Sequence, residues 1–287
     1  MASANAPGLA ALFLDSGGFS NAYQGGIRQG GAFELKQVTW AMSSALESVE
    51  VLADPAKLEV LKAVDIKSWF ARMPWSRGNS PLSLAPDYEN YVFDQWEAGT
   101  FDDFWKQAGI YAEGYYDQFP DVPMMWMSSW YDPYPRTVTD NVVALSRLKQ
   151  SPIGLILGPW THGNNHQTFA GDVDFGPAAT LAGSSAVDLI TLRKRWFDHH
   201  LKGEANGVEA DPTVRIFVMG GGSGRKNAQG RMDHGGAWRN ETAWPLAKAR
   251  ETSFFLHGEG LLSPTSPKRG ARPRTYLYDP KHPTPTI

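Results

Sequence analysis

Asp132 and His162 are the two residues on which chemistry can be built. Each follows a short apolar run, residues 122–127 and residues 153–157, and they stand thirty positions apart. Runs of that length predict buried strands of a parallel sheet. Residues 136–149 between them carry a helical pattern, so the whole reads as strand–helix–strand. Ligands of such sheets gather at the carboxyl ends of the strands. Both loops would therefore open at one sheet edge, where a carboxylate can fix the tautomer of an imidazole and stabilise its protonated form. His162 is the candidate general base, because a neutral imidazole near pH 7 can take a hydroxyl proton and return it to a leaving group. The competing reading of Asp132 is an Asx turn before Pro133. That of His162 is a polar loop histidine.

Around these residues, W-Y-D-P-Y (residues 130–134) and G-P-W-T-H-G (residues 158–163) resemble motifs of a family of serine hydrolases. The family includes cocaine esterase, α-amino-acid ester hydrolase, glutaryl acylases and X-prolyl dipeptidyl-peptidase. Further stretches in the same order support the resemblance over nearly all 287 residues. They are G-L-A-A at 8–11, G-G-A at 30–32, F-G-P-A-A at 175–179, R-W-F-D-H-H-L-K-G at 195–203, V-R-I-F-V-M-G at 214–220, and the closing T-Y-L-Y-D-P and P-T-P-T-I. The resemblance implies an α/β fold: an incomplete α/β-hydrolase core with an inserted helical cap and the start of a C-terminal β jelly roll. Its expected divisions are core at 1–30, cap at 31–114, core again at 115–248, and a truncated jelly roll at 249–287. It implies cleavage of a small-molecule ester or amide through an acyl-enzyme and a Ser-Asp-His triad. Asp132 and His162 would be two of its members, with Trp40, Trp130 and Tyr131 at the substrate pocket. No cofactor is implied.

The resemblance also puts the nucleophile elbow before Met1, so the attacking serine is expected outside this chain, and both chain ends are expected to be cut. Ser20 in G-F-S-N-A is the substitute within the chain. It follows an apolar run, and Ser20, Asp132 and His162 stand in the α/β-hydrolase order. Its alternative is a turn serine at a strand end. Ser223 lies in a glycine tract that reads as a flexible loop. Two functions follow: a serine hydrolase, or a catalytically inactive fragment or pseudoenzyme that keeps the His–Asp pair without the nucleophile. His162 and His166 have an H-x3-H spacing, and His199 and His200 follow, but no Glu completes the hydrolytic zinc pattern. No metal is expected.

The elements that must position this chemistry can be read along the chain. Residues 9–14 predict a buried strand ending in the turn Asp15-Ser16-Gly17-Gly18. Residues 33–51 predict one amphipathic helix and residues 55–64 another, with Asp54 as N-cap and Pro55 at its first position. Residues 88–97 and 102–111 read as further helices of the cap. The acids at 87–103 read as a solvated face. Residues 189–201 form a strong amphipathic helix ended by Gly203. Residues 214–219 are a strand, and 253–257 and 275–278 read as antiparallel strands.

Composition bounds the rest. The chain is 42% hydrophobic and 12% aromatic, as folded chains are, and a net charge of −3 lacks the basic balance of a nucleic-acid binder. With no cysteine there is no disulfide or thiolate chemistry. No apolar run reaches about eighteen residues, and the first ten residues lack the basic start and apolar core of a signal peptide. The expectation is a soluble protein that binds neither nucleic acid nor membrane, with its compartment and oligomeric state left open.

Overall fold

The computed structural model describes residues 2–279 and 281–282. Residues 283–287, which carry the last part of the closing motif, lie outside the described residues. The chain divides into two compact units, Met1–Pro245 and Leu246–Ile287.

The first unit is built on a five-stranded sheet whose order follows the sequence: β1 (Leu12–Asp15), β2 (Met124–Tyr131), β3 (Ile153–Thr161), β4 (Val214–Met219) and β5 (Gly236–Glu241). The first four run parallel, and β5 returns antiparallel along β4. Met124 pairs with Leu12 on one side and Ile153 on the other, so β2 is central. Both faces of β2 and β3 are buried, which is why the two segments are continuously apolar rather than alternating.

Alternation within β2 sends Met125 and Met127 to one face. There they pack with Ile156 and Trp160 against Leu192 and Trp196 of a long helix, Leu189–Lys202. Each such side chain contributes about 1.5–3 kcal/mol when taken fully from water. Asp188 caps that helix by accepting from Thr191 N, and Gly203, at φ +72°, ends it. The other face is covered by the helix Pro135–Leu148, which joins β2 to β3 and buries Val138, Asn141, Val142 and Leu145 at three- and four-residue spacing.

Between β1 and β2 lies a helical insertion with its own apolar core. Its helices are α1 (Lys36–Leu46), α2 (Val49–Leu52), α3 (Pro55–Lys62), α4 (Ile66–Phe70) and α5 (Pro86–Glu97). Val38, Ala41, Met42 and Ala45 form one stripe of α1 and meet Val92 and Phe93 of α5. With these named, the helix joining β2 to β3 is α6 and the Leu189–Lys202 helix is α7.

Three expectations are corrected here. The single helix over 33–51 is two, because Ser48 leaves helical geometry to cap α2 with its hydroxyl on Val51 N. Residues 102–111 form turns: Asp102 accepts from Phe104 N in an Asx turn, and Trp105 is buried with its indole N–H on Ala98 O. In the second unit the only ladder among the described residues pairs Phe255–Leu256 with Leu262–Ser263. Residues 275–278 have no ladder partner there, and Tyr276, Leu277 and Tyr278 are exposed.

Candidate active site

The carboxyl ends of β1, β2 and β3 meet at one edge of the sheet, and each supplies a piece of the site. β2 delivers Asp132 in the turn that precedes α6. Its carboxylate is buried and divided between two partners: Oδ1 accepts from Tyr134 N at 2.8 Å, and Oδ2 lies 2.8 Å from His162 Nδ1. The Asx turn weighed as an alternative role for Asp132 is therefore present together with the histidine contact. β3 delivers His162, whose side chain is 57% exposed while that of Asp132 is 0% exposed. A buried carboxylate thus anchors an imidazole that opens to solvent. With Nδ1–H donated to Asp132, Nε2 is the nitrogen left for proton exchange.

β1 ends at Asp15, and the chain turns through Ser16 at φ +47° and Gly18 at φ +78°. The first is a left-handed conformation that non-glycine residues rarely hold. At Gly18 a Cβ would come within 3.3 Å of the Trp126 ring, so glycine is needed on both counts. Asn141 of α6, wholly buried, donates to Gly18 O and accepts from Tyr116 OH at 2.9 Å, fixing this loop to the helix behind it. Asp15 pairs with Arg193 of α7 at 2.9 Å. Burial pushes the Asp15 carboxyl above its ordinary value, and Arg193 opposes that rise.

Beside His162 is a cavity of about 300 Å³ between the sheet edge and the helical insertion. Ser16 and Phe19 line it from the β1 loop, Tyr134 from the start of α6, and Gln37 and Trp40 from α1. The Tyr134 ring stands edge-on to His162 at 5.4 Å. Burial raises the Tyr134 phenol pKa above its ordinary value.

Of the pocket residues expected from sequence, Trp40 lines this cavity. Trp130 and Tyr131 are not on its lining. The Trp130 indole donates to Phe217 O of β4 at 2.8 Å and packs near Trp244. Tyr131, whose side chain alternates to the other face, leans on Phe175. Ser20 is buried, with its Oγ 3.2 Å from Thr137 Oγ1, and it is not part of the lining. Gln37, Tyr91 and Tyr134 were missed by sequence reasoning. Tyr134 alone had a signal, its place two residues after Asp132. Among the described residues no group of three or more His, Asp or Glu is placed to hold a metal. No described helix is long and apolar enough to cross a membrane.

A mostly parallel sheet carrying a His–Asp pair at its carboxyl edge, with helices on both faces and a helical insertion over the edge, defines an α/β-hydrolase core. Residues 1–164 match the X-Pro dipeptidyl-peptidase (S15) family, and residues 206–286 match the X-Pro dipeptidyl-peptidase C-terminal non-catalytic domain. The chain belongs to the S15 family. It is 34% identical over 174 residues to cocaine esterase of Rhodococcus sp. (strain MB1 Bresler), an alignment covering 58% of this chain and 27% of that protein. Two crystal structures of a CocE/NonD family hydrolase from Staphylococcus aureus share its fold, at TM-scores of 0.54 and 0.51. They are 17% and 18% identical, and the match covers 92% of this chain and 36% and 35% of theirs. The chain thus spans about a third or less of the length of these relatives.

Proposed function

We propose that this chain carries the proton-transfer half of a serine hydrolase that cleaves an ester or amide through an acyl-enzyme. His162 takes the proton of an attacking serine and later gives it to the leaving group, while Asp132 holds the ring and stabilises the imidazolium. The observation that carries the reading is the 2.8 Å contact between the buried Asp132 carboxylate and His162 Nδ1, beside a cavity of substrate size. The attacking serine is assigned to a strand that would pair along the open side of β1. A strand laid parallel to β1 there would end beside Ser16 and His162. The S15 match and the similarity to cocaine esterase support a small-molecule ester or amide as substrate.

A second reading is that the chain by itself keeps the His–Asp pair without turnover, as a fragment or pseudoenzyme. The burial of Ser20 against Thr137 favours it, since a hydroxyl committed there is not free to attack. The two are separated by a fluorophosphonate probe. The 287-residue chain is expected to stay unlabelled. The gene product that also holds an upstream G-x-S-x-G serine is expected to label and to lose labelling in His162→Ala. Labelling of the 287-residue chain that disappears in Ser20→Ala would restore Ser20 as nucleophile. Labelling of the longer product that persists undiminished in His162→Ala would remove the general-base role.

A further inference from the structure

The wall of the His162 cavity that faces the helical insertion is polar but carries no charge. Its centre is Gln37 of α1, which is only 4% exposed. The Gln37 carboxamide oxygen accepts from Tyr91 OH at 3.1 Å, and its nitrogen donates to Gly26 O at 3.4 Å. Tyr134 lines the same cavity beside Gln37. Trp40 stacks at a tilt on Tyr91, with centroids 5.0 Å apart, and Phe19 stands edge-on to Tyr134 at 5.4 Å. No Asp, Glu, Lys or Arg lines the cavity. The charges near this wall are already partnered: Lys36 pairs with Glu34, its ammonium over the Tyr134 ring at 5.2 Å, and Asp132 is bonded to His162 and to Tyr134 N.

A carboxamide bonded to one phenol and lying beside another can offer or accept hydrogen bonds but cannot neutralise an ion. A group entering this space gives up water. An ammonium or carboxylate would lose its hydration with no Asp, Glu, Lys or Arg on the lining to replace it, whereas an uncharged polar atom would exchange one hydrogen bond for another.

We propose that Gln37 is a specificity-determining residue: it holds Tyr91 and, with Tyr134 beside it on the lining, makes a neutral hydrogen-bonding wall, so the site takes an uncharged acyl group bearing a hydrogen-bonding atom and rejects one bearing a free carboxylate or ammonium. This rests on the reading above that acyl transfer takes place beside His162. Its own test uses binding, so the two can fail separately.

The probes are three benzamides of similar shape: 4-methoxybenzamide, 4-carboxybenzamide and 4-(aminomethyl)benzamide. Binding to the 287-residue chain is followed by tryptophan fluorescence, for which Trp40 in the wall is the reporter, and checked by calorimetry. The neutral probe is expected to bind at least about tenfold more tightly than either charged one, the lower end of what a mismatched pocket contact discriminates. Gln37→Glu is expected to invert the order, with the ammonium probe gaining and the carboxylate probe losing further. Tyr91→Phe, which deletes a single oxygen, is expected to narrow the preference while the thermal melt stays folded. It serves as the second variant if Gln37→Glu does not fold. His162→Ala is expected to leave the preference intact. A merely structural role for Gln37 would lower all three affinities together and leave their order unchanged. That outcome overturns the proposal, as does equal binding of the three probes or binding of none of them by the parent chain. Retained discrimination in His162→Ala of this chain, together with full hydrolase activity in His162→Ala of the product that holds the serine, would leave the Gln37 assignment standing and remove the catalytic reading.

Discussion

Asp132 uses its two oxygens differently, and the difference makes its substitutions informative. Oδ1 closes the turn by accepting from Tyr134 N, and Oδ2 accepts from His162 Nδ1–H. In Asp132→Asn the amide oxygen can still accept from Tyr134 N. The amide nitrogen then faces His162 Nδ1 and donates to it, forcing the proton onto Nε2 and removing the free lone pair that a base needs. The expected outcome is an unchanged melt with kcat reduced by about 10⁴-fold, the scale of a wrong tautomer in such triads. Steady-state hydrolysis of an activated ester by the product containing the nucleophile, beside circular dichroism, checks both halves. Gly18 tests the other side of the site. An added Cβ there must hold φ near +78° and press on Trp126, so Gly18→Ala is expected to cost about 1–3 kcal/mol. Urea unfolding measures it, and an unchanged midpoint would mean the loop can relax away from α6.

At the scale of elements, the strand–helix–strand unit was legible because one pattern served two requirements. Residues 153–157 are apolar without alternation because both faces of β3 are covered, and α6 shows its buried stripe plainly. Asp132 and His162 could be placed on one edge from that alone. The break at Ser48 was harder to see, since residues 33–51 satisfy a helical period throughout and the capping bond to Val51 N competes with it only locally. Residues 102–111 failed for a tertiary reason: Trp105 packs with Ala22 and Ile27 instead of lying on a helix stripe. The place of Gln37 on the cavity lining was invisible because its partner there is Tyr91, fifty-four positions away. Caps also carry a testable pH dependence. The Asp188 carboxyl is held below its ordinary value by accepting from Thr191 N at the start of α7. A depressed pKa contributes stability above the unfolded value of 3.8 and loses it as pH falls through the folded one. Asp188→Asn keeps a capping oxygen but cannot titrate. Its Tm deficit relative to the parent is therefore expected to shrink as pH falls below 3.8 and on through the depressed folded value. A deficit constant over that range would show that the charge adds nothing to the cap.

For the whole molecule, the decisive feature is the side of β1 that faces away from β2. β1 ends the sheet order, and among the described residues no strand pairs with its outer side. Alongside it runs a largely apolar groove of about 430 Å³, lined by Leu12, Phe13, Leu14, Phe119 and Trp126 among others. A flat apolar edge with free N–H and C=O groups is a template for another strand. The same edge that would receive the strand bearing the nucleophile is open, in this 287-residue chain, to a second copy. The chain is accordingly expected to self-associate, with its mass in light scattering rising above 31.6 kDa as concentration increases. Leu12→Lys puts an ammonium on that edge, the device by which natural edge strands avoid pairing, and is expected to return the mass toward the monomer. If the parent chain stays monomeric at every concentration and melts in one sharp cooperative step, the edge is already satisfied. The strand assigned to its open side would then have no place to pair.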